Sequence, residues 1–207
     1  MKRLLILSLL ILPVQKSFSQ NKYLTAYKSY FDSSLKDWRN SYWNFQLSAF
    51  MISDTLSFEN IPFGDIKSLK GFYDLYKPSL AFSPDSNKFI DLYSYQLNLE
   101  RKRNKLIANA EVDGAVSLCD LKTKNWIRIY FLGVSSRIEE ALWISKAKFI
   151  LAGYNEEDQV GKFQPMILIG DINKEKLFLY NDLDKSCIAK KSGYIPSGLK
   201  NLKFENE

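Results

Sequence analysis

Histidine is absent from all 207 residues. Its absence removes the commonest general base near neutral pH, the Ser-His-Asp and Cys-His nucleophile systems, and histidine-ligated zinc or haem. Cysteine is scarce, with Cys119 and Cys187 the only two. Two thiolates cannot hold an iron–sulfur cluster or a four-cysteine zinc, and neither lies in a Cys-x-x-Cys spacing. There is no Gly-x-x-x-x-Gly-Lys and no Gly-x-Gly-x-x-Gly, so the phosphate-cradling loops are missing too. The sequence therefore assigns no catalytic, cofactor-binding or metal-ligating residue, and no cofactor.

A long apolar run is also missing after the first residues. The opening stretch reads as a signal peptide, residues 1–19. Lys2 and Arg3 lead an apolar run from Leu4 to Leu12, Pro13 breaks it, and Ser17 and Ser19 supply small residues before Gln20. Nine residues cannot span a bilayer core of roughly 30 Å as a helix. No cysteine adjoins the expected cleavage point, which argues against a lipid anchor. Export to the periplasm or medium is expected, with no transmembrane segment once the signal is removed. Lys2, Arg3 and Lys16 carry three of the six net positive charges, so +6 becomes +3 in the mature chain. Interspersed charge of that size shows no basic stripe, and no nucleic-acid partner is expected. Export permits a Cys119–Cys187 disulfide. The alternative is two small apolar residues in strands.

What the chain has is aromatic residues and alternation. Tyr23, Tyr27, Tyr30, Phe31, Leu35, Trp38 and Tyr42 recur at spacings of three and four, which predicts a helix over 21–43. Its aromatic face either packs on a sheet or offers a platform for sugar or peptide. Asn44 to Phe58 reads as a hairpin turning at Asp54-Thr55. Asp65 caps a predicted helix over 66–76, ended by Pro78. From Phe89 to Glu100 the period is two, predicting one strand of about a dozen residues. Arg101-Lys102-Arg103-Asn104-Lys105 forms the tip of a hairpin returned by 106–112. Further strands are expected at 115–121, 126–132, 138–144, 148–154, 165–172 and 176–180. Asn155 to Gln164 reads as a polar loop, and the tail adds a strand near 186–190 and then frays.

Carboxylates are the remaining chemistry. Asp85 or Asp91 with Glu111, Glu139 or Glu140 could form the pair that a glycosidase needs. Strict strand alternation would send only one of Glu139 and Glu140 into a cleft. The bland reading is turn aspartates and solvated glutamates. Glu156-Glu157-Asp158 lacks the spacing of a calcium loop.

A short pattern occurs twice. Phe82-Ser83-Pro84-Asp85 and Trp143-Ile144-Ser145-Lys146 open the copies, and Asp120-Leu121-Lys122-Thr123-Lys124 and Asp171-Ile172-Asn173-Lys174-Glu175 close them. The pattern resembles blades of β-propellers of the TolB-like or WD-repeat kind, and the whole chain resembles small exported bacterial proteins. In the second copy Lys146 and Ala147 stand where the motif has Pro and Asp. The resemblance implies a fold and no particular function. Two units cannot close a ring, since propellers use four to eight blades. The expected class is mainly β with an N-terminal helix (α+β): two propeller-like antiparallel blades or an antiparallel sandwich, and not a closed full propeller. The expected layout is a signal over 1–19, a helical and hairpin segment over 20–78 packing on the sheet, a β domain over 79–185 and a tail over 186–207. The expected function is an exported, non-enzymatic β-rich binding or scaffolding protein with a protein partner or glycan in the cell envelope. The alternatives are a carboxylate-dependent hydrolase acting on glycans and a subunit of an envelope complex.

Overall fold

The structure is a computed structural model that describes residues 24–102, 105–157, 161–182, 184–190 and 194–202. The expected signal lies outside the described residues. The chain enters through helices α1 (Lys28–Asp32) and α2 (Lys36–Asn40), strands β1 (Tyr42–Trp43), β2 (Phe50–Ser57) and β3 (Ile61–Pro62), and helix α3 (Leu69–Tyr76). Strands β4 (Ala81–Phe82) and β5 (Lys88–Asp91) precede the hairpin β6 (Leu97–Lys102) and β7 (Lys105–Ala110), followed by β8 (Gly114–Asp120) and β9 (Asn125–Leu132). Then come β10 (Ser136–Trp143), β11 (Lys148–Glu157), β12 (Lys162–Asp171), β13 (Lys176–Asp182), β14 (Ile188–Ala189) and helix α4 (Ser197–Asn201).

The protein is mainly β, and every strand pairing is antiparallel. Two five-stranded sheets dominate, in the orders β3-β9-β8-β5-β4 and β10-β11-β12-β13-β2. Neither closes on itself. Each takes its last strand from the N-terminal segment. That segment therefore covers an edge of each sheet, leaving fewer bare backbone groups.

Alternation assigns the strand faces. Ile90, Val116, Leu118 and Ile129 of one sheet share a core with Phe149, Leu151, Leu168 and Leu177 of the other. The intervening Ile150, Ala152, Ile167 and Ile169 turn away and are covered by Phe31, Leu35, Trp38 and Phe50. Phe89, Cys119 and Trp126, on the far face of the first sheet, are covered by Phe63, Ile66, Leu69 and Phe72. Full burial of a side chain such as Phe31 stabilises the fold by about 2–3 kcal/mol.

The two corners repeat in detail. Phe82 pairs with Phe89 and Lys88 with Asp120; Trp143 pairs with Phe149 and Lys148 with Asp171. The lysine ammonium lies 3.3 Å from Asp120 and 3.8 Å from Asp171 in the two copies. Asp120 accepts the N–H of Lys122 and Thr123, and Asp171 accepts that of Asn173. Lys124 and Glu175, each four residues past the aspartate, take the left-handed conformation at φ 57° and 51°. Phe82 and Trp143 thus share a register position, though Trp143 is buried and Phe82 half-buried.

Several elements depart from expectation. The 21–43 periodicity yields two five-residue helices from residue 28 onward. Ser33 turns its hydroxyl back onto the carbonyl of Ser29, and the chain bends there. The aromatic face is core rather than an exposed platform: Phe31 and Trp38 are fully buried. Asp54-Thr55 makes no hairpin, because β2 runs straight along β13 with a register shift near Ser53. The long strand from Phe89 breaks at Asp91, whose buried carboxylate accepts the N–H of Tyr93 at 2.9 Å and of Ser94 at 3.0 Å. That local turn competes with further pairing. Residues 155–157 and 162–164 are strand rather than loop. Residues 197–201 form α4, with Leu202 buried beyond it. The two thiols are free and occupy different cores, so no disulfide links them.

Candidate functional site

Strand β10 builds the site through an irregularity. Ile138 pairs with Gly153 and Glu140 with Ala152, leaving Glu139 as an extra residue. A bulge of this kind re-aims side chains and breaks the strict alternation. Both glutamates are buried, at 7% and 8% exposure. Gly153 makes the bulge possible: a Cβ there would sit 1.9 Å from the carbonyl oxygen of Arg137.

The two carboxylates have different duties. Glu140 accepts hydrogen bonds from the Tyr194 hydroxyl and the Ser197 N–H, both at 2.6 Å, and from the Ser197 hydroxyl. It anchors the segment that carries α4. Glu139 Oε2 accepts the indole N–H of Trp38 at 2.9 Å, and its backbone carbonyl accepts the Tyr93 hydroxyl at 3.0 Å. Its other carboxylate oxygen makes no hydrogen bond among the described residues. Burial pushes the Glu139 carboxyl up to about 7; the charge of Glu140 adds to this, while Trp38 and Arg137 oppose it.

Glu139 opens onto a cavity of about 700 Å³, walled by Tyr42, Arg137, Tyr154, Phe163, Tyr194 and Leu199 among others. That volume lies in the range that holds small molecules. Tyr154 and Phe163 meet edge to face at 4.9 Å, and the Tyr42 hydroxyl donates to the Gly153 carbonyl at 3.3 Å. Burial raises the Tyr42, Tyr154 and Tyr194 phenols, so all three are neutral donors. The half-buried Arg137 makes no hydrogen bond or ion pair among the described residues, though its charge acts on Glu139 and Tyr154. A smaller cavity of about 200 Å³, lined by Ser79, Leu92 and Tyr93, also touches Glu139 and Glu140.

The other carboxylates named from sequence stay apart from this site. Asp85 holds the turn after β4 by accepting from Ser83 and the Asn87 N–H. Hydrogen bonds from Asn87 and Ser83 hold its carboxyl well below the usual range. Asp91 is sealed in its own turn, and burial raises its carboxyl. Glu111 is exposed beside the β6–β7 hairpin. Glu156 accepts the Gly161 N–H at 2.9 Å, and Asp158 lies outside the described residues. Arg101 and Lys102 are exposed at the end of β6, with Lys102 paired to Glu100 at 2.9 Å; Arg103 and Asn104 lie outside the described residues. Among the described residues no three His, Cys, Asp or Glu side chains gather as a metal site.

Sequence reasoning singled out Glu139 but missed Arg137, Tyr154 and Phe163. Gly153, inside an otherwise apolar strand, was the available signal, because a strand glycine often marks a bulge. The chain matches no protein-family model, and neither the curated proteins nor the solved structures contain a match to it.

Proposed function

We propose that this chain is an exported, non-enzymatic binding module that takes a small ligand in the cavity beside Glu139. The observation that carries the proposal is a cavity of about 700 Å³ whose wall joins Glu139 and Arg137, the latter with no ion pair among the described residues, to the rings of Tyr42, Tyr154, Phe163 and Tyr194. A cavity of this size, with a few converging polar groups and aromatic walls, is the ordinary form of a small-molecule site. Two propeller-like blades are the reading of the scaffold that the repeated lysine–aspartate corners favour over a plain sandwich. Export, to the periplasm or medium, rests on the apolar run and small residues of 1–19.

Thermal-shift screening against sugars, amino acids and small carboxylates tests the reading. The expected result is that one class raises the melting temperature of the chain and loses that effect in Arg137→Ala. If no class shifts either protein, the binding reading fails.

A glycan hydrolase is the second reading, favoured by a Glu139 carboxyl poised near neutral pH, where a general acid works best. Against it stands Glu140, whose two oxygens are committed to Tyr194 and Ser197. Release of nitrophenol from aryl glycosides, lost in Glu139→Gln, would favour the hydrolase over the binding module.

A further inference from the structure

Resting on the binding reading above, we infer that the ligand is a neutral sugar ring, bound with its hydroxyls bridging Arg137 and Glu139 and its apolar face against the tyrosines. Two charged groups of the wall, Arg137 and Glu139, are of opposite sign and stand two residues apart on β10. An anion would satisfy Arg137 and be repelled by Glu139; a cation would do the reverse. A hydroxyl serves both, because it donates to the carboxylate and accepts from the guanidinium. Two further charged side chains stand close by and are themselves of opposite sign, Lys190 on the same wall and the buried Glu140. Glu140 is committed to Tyr194 and Ser197, and Lys190 is held by the Asn40 carbonyl and lies 4.7 Å over Trp43.

The rest of the wall fits the same ligand. Tyr42, Tyr154, Phe163 and Tyr194 present broad rings that are apolar on the face and carry, in the tyrosines, a hydroxyl at the edge. A sugar ring has the matching character, with C–H groups on its faces and hydroxyls around its rim. A zwitterion such as an amino acid would also answer both charges. It would, however, bury two full charges beside them.

Isothermal titration of the full chain tests the inference, using glucose, N-acetylglucosamine and their β-1,4-linked disaccharides against glycine, phenylalanine and succinate. The expected result is binding of at least one sugar, weakened about tenfold or more in Arg137→Ala and in Glu139→Ala. Glu139→Gln should weaken it less than about threefold, since the amide still accepts and donates. Circular dichroism confirms that each variant is folded, and Arg137, half-buried and without an ion pair among the described residues, is the variant safest for the fold. Binding of an amino acid or succinate but no sugar overturns the sugar inference and leaves the binding reading standing. Sugar binding that Glu139→Gln abolishes as fully as Glu139→Ala also overturns it, because a neutral ligand does not need the charge. No binding of any of these to a folded chain overturns the inference, and with a silent thermal-shift screen it overturns the binding reading as well.

Discussion

Trp38 donates its indole N–H to Glu139 across 2.9 Å, joining a helix near the N-terminus to the bulged strand that lines the cavity. Trp38 is fully buried, so its neutral ring desolvates the carboxylate while its N–H satisfies one oxygen. Together with the bond from the Tyr42 hydroxyl to the Gly153 carbonyl, this bond ties the N-terminal layer to the candidate site.

That setting makes stability depend on pH in a defined direction. The Glu139 carboxyl is raised from its ordinary 4.5 to about 7, so the folded chain binds this proton more tightly than the unfolded chain. Stability is unaffected by this group below the unfolded value, falls as pH rises from there toward 7, and levels off above. The loss is at most about 3 kcal/mol. Urea denaturation of the wild type and Glu139→Gln at pH 5 and pH 8 reads it. The variant should gain relative to the wild type as pH rises. Parallel profiles would mean that Glu139 ionises freely in the fold.

Gly153→Ala should destabilise the protein by about 2 kcal/mol or more, because the added methyl meets backbone at Arg137 rather than a movable side chain. Gly71, exposed within α3 with nothing near its Cβ position, is the control. Gly71→Ala should stabilise by about 0.5–1 kcal/mol through helix propensity and a less flexible unfolded chain. Thermal denaturation of both variants tests the contrast, and equal effects would contradict it.

The repeated corners should not contribute equally. Asp171 is buried at 4% exposure, whereas Asp120 is more open. Asp171→Ala should therefore lower stability by about 2–3 kcal/mol, leaving the Asn173 N–H and the Lys148 ammonium without this acceptor. Asp120→Ala should lower it by about 1 kcal/mol, where water replaces the lost carboxylate. Denaturant titrations that reverse the order would show that burial does not set the value of these corners.

Both cysteines should resist thiol reagents in the native state. Burial pushes each thiol up to about 12, so almost no thiolate forms near neutral pH. Labelling with dithionitrobenzoate should find two thiols in denaturant and neither in the native protein. Rapid native labelling of either would contradict the burial.

The strands were legible where one period governed both faces. Phe149 to Ala152 alternate between two cores, and Asp120 and Asp171 end their strands where the turn residues said they would. The reading failed where a local polar group overruled the period. Asp91 cut a strand that alternation had carried on to Glu100, and Ser33 cut a helix that aromatic spacing had carried through. Asp54-Thr55 looked like a turn because pairing with β13 cannot be seen from local composition. The cavity was illegible for a different reason. Its walls come from β1, β10, β11, β12, β14, α4 and the segment before it, and a single bulge decides that Glu139 turns inward.

Strand β2 has a consequence for the order in which the molecule comes together. Phe50 pairs with Asp182, so the outer strand of the second sheet is synthesised early and its neighbour late. The first sheet has all its strands once Leu132 has been made, while the second waits for residues near the end of the chain. Closing so long a loop is slow, because its entropy is lost before any contact compensates it. Completion of the second sheet thus follows completion of the first, and waits until Asp182 has been made.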